Sequence, residues 1–169
     1  MNTEENQNGI SSEGSSDELK HSEAKLRRII DTIPVIAWCG LPDGSVEFWN
    51  RRWRDYTGIC LEDATDCGCR AAIHPEDLEQ LEKKWNSDLA SGKAGELEAR
   101  LRRFDGEYRW FLFRYEPLRD EFGKIVNWYG TGTDIDDLKR AEEKLRESES
   151  RLREHMDAMP QIIGLSQSQ

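Results

Sequence analysis

Four cysteines and six tryptophans carry most of the chemical potential of this 169-residue chain. Cys67 and Cys69 form a Cys-x-Cys pair, and Cys60 and His74 are near enough in sequence to complete four zinc ligands on paper. Zinc sites of that kind normally carry a second closely spaced pair, which is missing here. Reduced loop thiols are the expectation, with no metal site. The spacing of Cys39, Cys60, Cys67 and Cys69 makes no disulfide framework either. No phosphate loop of the Gly-x-x-x-x-Gly-Lys type and no nucleophile elbow occurs. The segment is therefore expected not to be an enzyme. Trp53, Trp110 and Trp128 are the candidate ligand-binding residues, because flat rings with one polar edge suit a pocket that stacks a planar molecule. The same rings would serve equally well as core with no cavity.

Charge narrows the partners. The formal net charge is -10, and half of it lies in residues 1–18, which hold five acids and no base. Phosphate recognition needs clustered Lys and Arg, so nucleic acid is not an expected partner. No apolar run approaches the roughly 20 residues that a bilayer span requires. The first residues lack the basic and apolar regions of a signal peptide. A cytoplasmic location without direct membrane contact is the expectation.

The elements that must position these residues follow from periodicity. Residues 1–17 are mostly Asn, Gln, Ser, Gly and Glu with one Ile, and are expected to be a disordered tail. Residues 18–33 read as an amphipathic helix with Leu19, Leu26, Ile30 and Ile33 on one face, stopped by Pro34. Residues 34–134 form the core domain. Val35–Cys39 and Val46–Trp49 read as a hairpin around Pro42-Asp43-Gly44-Ser45. Asn50 is placed to cap a short helix ending at Gly58, and Leu61–Ile73 reads as short helical turns. His74-Pro75-Glu76-Asp77 opens a helix with Leu78, Leu81, Trp85 and Leu89 on its apolar stripe. Three strands follow. The middle one, Tyr108–Leu118, has an apolar centre on both faces and needs cover on both sides. The helix of residues 19–33, or its copy in a second subunit, is the expected cover for the outer face. The fold class is α+β: a five-stranded antiparallel sheet with helices on one face.

Residues 135–159 read as a linker helix. Leu138, Leu145, Leu152 and Met159 recur every seven residues, a coiled-coil seam weakened by Glu142 and Glu149 at the partner positions. The run Ser22–Pro34 recurs as Ser148–Pro160, with Ser, Glu, Leu, Arg, Asp and Pro at a constant offset. The linker thus doubles as the first helix of a second copy. Residues 160–169 are expected to be a truncated or disordered tail.

Four stretches together resemble the PAS family, specifically the tandem sensor branch of bacterial signalling proteins such as sensor histidine kinases. They are Pro42–Asn50 leading to Trp53 and Tyr56-Thr57-Gly58; Ile73–Asp77; Arg102–Trp110; and Trp128–Thr131 running into Asp134-Ile135-Asp136. The resemblance implies a PAS fold and a sensory role. A small-molecule or protein cue would be relayed through the coiled-coil linker to an output domain of histidine kinase or diguanylate cyclase type. It implies a homodimer through the flanking helices, with Asp134, Ile135, Leu138, Leu145 and Leu152 as relay residues. The alternative is a dimerisation or spacer module with no ligand. Relatives hold haem, flavin or small metabolites. The haem branch carries a His inside the long helix, and none lies between Pro75 and Gly92. The light-sensing flavin branch uses a Cys in an Asn-Cys-Arg setting, and here the run is Cys67-Gly68-Cys69-Arg70. Neither cofactor is expected, while an unidentified small ligand is allowed for.

Overall fold

Alternating apolar residues in the strands become the inner face of one antiparallel sheet. The computed structural model describes residues 11–60 and 66–159, and the side chains of 20–60 and 69–159. The elements run α1 (Ser11–Thr32), β1 (Ile36–Gly40), β2 (Val46–Trp49), α2 (Arg51–Thr57), α3 (Asp66–Ala72), α4 (Pro75–Ser91), β3 (Gly95–Arg102), β4 (Tyr108–Arg119), β5 (Ile125–Asp134) and α5 (Asp136–Ala158). The strand order is β2-β1-β5-β4-β3. The first hairpin and the last three strands are therefore joined where β1 pairs with β5. The chain divides after Asp134, and α5 belongs to a second unit. Among the described residues, no helix is long and apolar enough to cross a membrane.

Strand register decides which rings face inward. Ala99 pairs with Phe111 and Leu97 with Phe113, and all four point to the helix-covered side. Leu78, Leu81, Trp85 and Leu89 of α4 pack against this face. The outer face of β4 carries Trp110 and Leu112, both half-buried. Of the α1 stripe expected to cover it, Leu26 is exposed while Ile30 and Ile33 are half-buried. The Arg100 guanidinium lies over the Trp110 ring at 5.4 Å. Helix α1 also starts at Ser11, inside the stretch expected to be disordered. Extending a formed helix adds one hydrogen bond per residue fixed, so polar residues can follow a nucleated segment. Residues 1–10 and 160–169 lie outside the described residues.

Asn50 does not cap α2. Its side chain is fully buried and reaches back to earlier elements. Oδ1 accepts from the Ala37 N–H at 3.0 Å, and Nδ2 donates to the carbonyls of Val35 at 2.9 Å and Ile30 at 3.3 Å. Its backbone N–H donates to the Ala37 carbonyl at 2.8 Å. The exposed start of α2 is served from α1, where Asp31 Oδ1 accepts the Arg51 N–H at 2.7 Å. A single primary amide thus ties the end of α1 to β1 and to the entry of α2.

Helix α4 is held at both ends. His74 Nδ1 accepts the Glu76 N–H at 3.3 Å, which caps the first turn. Arg100 of β3 donates through its backbone N–H and guanidinium to Asp77 at 2.7 to 2.9 Å, and to Glu76 at 2.8 Å. At the other end Asp88 takes Lys84 Nζ at 2.5 Å and the Tyr115 hydroxyl at 2.6 Å.

Asn50→Ala leaves buried backbone groups unpaired and should lower unfolding stability by about 3 kcal/mol in urea titration. A loss under about 1 kcal/mol would contradict the clamp. The Arg100 hydrogen bonds hold the Asp77 carboxyl below its ordinary value, and those from Lys84 and then Tyr115 do the same for Asp88. A carboxylate whose folded pKa is lowered adds stability that is complete above the unfolded pKa of about 4. That contribution is lost as pH falls through about 4 and below. Asp77→Asn should therefore flatten the fall in Tm between about pH 5 and pH 3, read by thermal denaturation.

Candidate functional site

Between α3, α4 and the inner face of the sheet lies a cavity of about 420 Å³. That is within the usual range for small-molecule sites, roughly 300–1,000 Å³. Four tryptophans from four elements wall it: Trp38 of β1, Trp49 of β2, Trp53 of α2 and Trp85 of α4. Trp49 and Trp53 stack with centroids 4.0 Å apart at 24°. Trp38 meets Trp85 edge to face at 5.6 Å and 80°. Space for the Trp38 ring comes from β5, where Gly130 pairs with Trp38 and the ring occupies the place of a Cβ. Gly44 in the first hairpin turn adopts φ 89° and packs on Leu89 and Trp85, where a side chain would collide. Backbone conformation and close approach both demand glycine there.

The polar part of the wall is small. Asp43, Ser45, Arg70, Glu82 and Asn86 contribute to it. Arg70 of α3 and Glu82 of α4 form an ion pair at 2.6 Å. Tyr115 also lines the cavity. Burial, and then its bond to Asp88, push its phenol well above the ordinary value, so it stays a donor. The indole N–H groups of Trp49, Trp53 and Trp128 are buried with no hydrogen-bond partner among the described residues. Indole nitrogen donates and cannot accept. The site is an aromatic slot, and among the described residues that line it no nucleophile is paired with a base.

The structure divides the expected tryptophan trio. Trp53 is buried and lines the cavity. Trp128 is buried behind it, with its ring 5.4 Å from Trp85 and 6.3 Å from Tyr115. Trp110 lies apart from this cavity: strand alternation sends it to the opposite face from Phe111, against Arg100. Trp38, Trp49 and Trp85 were missed as wall residues. The apolar stripe of α4 already contained Trp85, and β1 alternation put Trp38 on the side of Ile36, so both signals were in the sequence. Cys69 is half-buried on the cavity wall, while Gly68 precedes it in place of the flavin branch's Asn. The Cys67 side chain lies outside the described residues. Among the described residues, no group of three or more His, Cys, Asp or Glu is placed to hold a metal ion.

The relay candidates fall at the junction and beyond. Asp134 ends β5 and pairs with Arg109 of β4 at 2.7 Å. Ile135 occupies the cap position of α5. Within α5, Leu138, Leu145 and Leu152 are exposed at seven-residue spacing. Asp136, the residue after Ile135, accepts from Arg140 one turn on at 2.6 Å.

The PAS fold family matches residues 46–132. The chain is 36% identical over 148 residues to the uncharacterized protein y4lL of Sinorhizobium fredii, covering 88% of this chain and 18% of that protein. It is 37% identical over 145 residues to the peroxide stress-activated histidine kinase mak1 of Schizosaccharomyces pombe, covering 82% of this chain and 9% of that one. The chain thus spans less than a fifth of these curated relatives. Its fold is similar to that of an RNA-binding light-oxygen-voltage receptor, with a TM-score of 0.66 at 19% identity, over 88% of this chain and 41% of that one. At that identity the likeness shows the fold alone. Family match, strand order and helical cover agree, and the chain belongs to the PAS family of sensory domains found in signalling proteins.

Proposed function

We propose that this module senses a small planar organic molecule in the tryptophan-lined cavity and relays its occupancy to an output domain in a longer protein. The observation that carries this reading is the 420 Å³ slot walled by Trp38, Trp49, Trp53 and Trp85. A domain that only dimerised would gain stability by filling such a space, since packed interiors hold few voids larger than water. The module itself does no catalysis and acts in the cytoplasm. Its output partner is of histidine kinase or diguanylate cyclase type. Similarity to a much longer fungal histidine kinase supports that reading.

The relay runs through the Asp134-Ile135 junction into α5. The exposed Leu138, Leu145 and Leu152 supply a seam for a homodimer. The Ser148–Pro160 repeat makes the same helix the entry to a second PAS copy. The rival reading is a dimerisation spacer without a ligand, which the exposed leucine seam alone would serve.

Binding separates the two. A small-molecule screen that includes flavins should yield compounds that raise Tm and add a discrete mass under native mass spectrometry. A ligand at 100 times its Kd stabilises by about 2.7 kcal/mol. A broad screen with no shift and no added mass favours the spacer. The seam has its own test. Replacing Glu142 and Glu149 with Leu removes like-charge repulsion and should tighten self-association at least about tenfold in sedimentation equilibrium. Unchanged affinity would count against a parallel seam.

A further inference from the structure

We infer that the last turns of α5, from Arg153 to Met159, form a docking surface for the core of a second PAS module, with Asp157 as its anchor; this rests on the reading of α5 as the entry to such a copy, given above. The two helix ends agree in structure as well as in sequence. Helix α1 stops at Thr32 and α5 at Ala158, which are equivalent positions in the repeat. Past the end of α1 the Ile33 N–H donates to the Ile30 carbonyl at 3.2 Å. Past the end of α5 the equivalent Met159 N–H donates to the Met156 carbonyl at 3.3 Å.

In α1 this end is seated on the core through Arg27, Ile30 and Asp31. The Arg27 guanidinium lies over the Phe48 ring at 5.7 Å, the Ile30 carbonyl accepts from Asn50 Nδ2 at 3.3 Å, and Asp31 Oδ1 accepts the Arg51 N–H at 2.7 Å. Arg27 recurs as Arg153 and Asp31 as Asp157. The carbonyl contact uses backbone and survives the change from Ile30 to Met156. The half-buried Ile30 and Ile33 become methionines, which keep apolar bulk and adapt their shape. The other changes fall at positions 24, 25, 28, 29 and 32, all exposed in α1. The repeat thus retains what touches a core and varies what does not. On α5 the retained positions are exposed, with Met156 at 73% and Met159 at 72%. The partner that fits is a PAS core presenting an aromatic ring, a buried carboxamide and a helix-entry N–H in the places of Phe48, Asn50 and Arg51.

The chain carries a core of this kind, so the fit can be measured in the full chain by thermal denaturation. Residues 22–34 are rewritten with the sequence of residues 148–160, a change at seven positions. The grafted chain should fold and melt within about 4 °C of the parent. Asp31→Ala should then lower Tm by at least about 4 °C in the parent and in the graft alike, because an N–H at the entry of α2 loses its carboxylate. Asp31→Asn keeps an oxygen acceptor and should recover most of that loss. A graft that folds but is indifferent to Asp31→Ala overturns the anchor role of Asp157 and leaves the entry reading standing. If the full graft does not fold, the shorter exchange of Ile30→Met, Thr32→Ala and Ile33→Met carries the same test. Failure of that exchange to fold overturns the inference together with the entry reading beneath it.

Discussion

The amide of Asn50 is the interaction on which the rest of this domain depends. One buried side chain accepts from β1 and donates to Val35, the residue before β1, and to the last turn of α1. A buried amide with partners on both its oxygen and its nitrogen fixes the relative position of every segment it touches. Its chain neighbours make it more than a structural bolt. Trp49 immediately precedes it and Trp53 follows one turn later, and both wall the cavity. Any ligand that shifts this stacked pair acts on the segment that holds α1. The domain therefore has a physical connection from the cavity to its N-terminal helix as well as the covalent one through β5 to α5.

The cavity persists because its lid is tethered at its ends rather than filled at its centre. Arg100 grips the first turn of α4 through Asp77 and Glu76, and Tyr115 grips the last turns through Asp88. Between these clamps Trp85 packs edge to face with Trp38, Tyr115 and Trp128. Edge-to-face rings stay apart at their centroids, and bulky walls of this kind leave space that small aliphatic side chains would close. Glycines on the facing elements, at 44 and 130, admit the large rings where backbone or turn would otherwise exclude them.

Much of this was legible in the sequence, and the omissions have physical causes. The hairpin could be read from Pro42-Asp43-Gly44-Ser45, and α4 from His74-Pro75 and the stripe that follows. Those signals are local. The sheet and its helical face followed from period-2 alternation. The face taken by Trp110 was not legible because an apolar run such as Trp110-Phe111-Leu112-Phe113 shows no alternation, so only register with β3 reveals which ring points inward. The role of Asn50 was misread because a cap is a local rule, whereas its partners at 30, 35 and 37 are set by tertiary folding. The wall of the cavity is likewise non-local, drawn from β1, β2, α2 and α4. The heptad of α5 was visible as spacing, and its leucines are exposed along the helix.

The central claim is that a small molecule enters the cavity walled by Trp38, Trp49, Trp53 and Trp85. The most direct measurement is a 15N–1H correlation spectrum of the six indole N–H resonances during titration with a compound from the screen that raises Tm, assigned by single Trp→Phe variants. The account predicts chemical-shift changes among the four cavity-wall indoles, with Trp110 on the opposite sheet face unmoved. Shifts confined to Trp110, or saturable binding that leaves all four wall indoles unmoved, would contradict it.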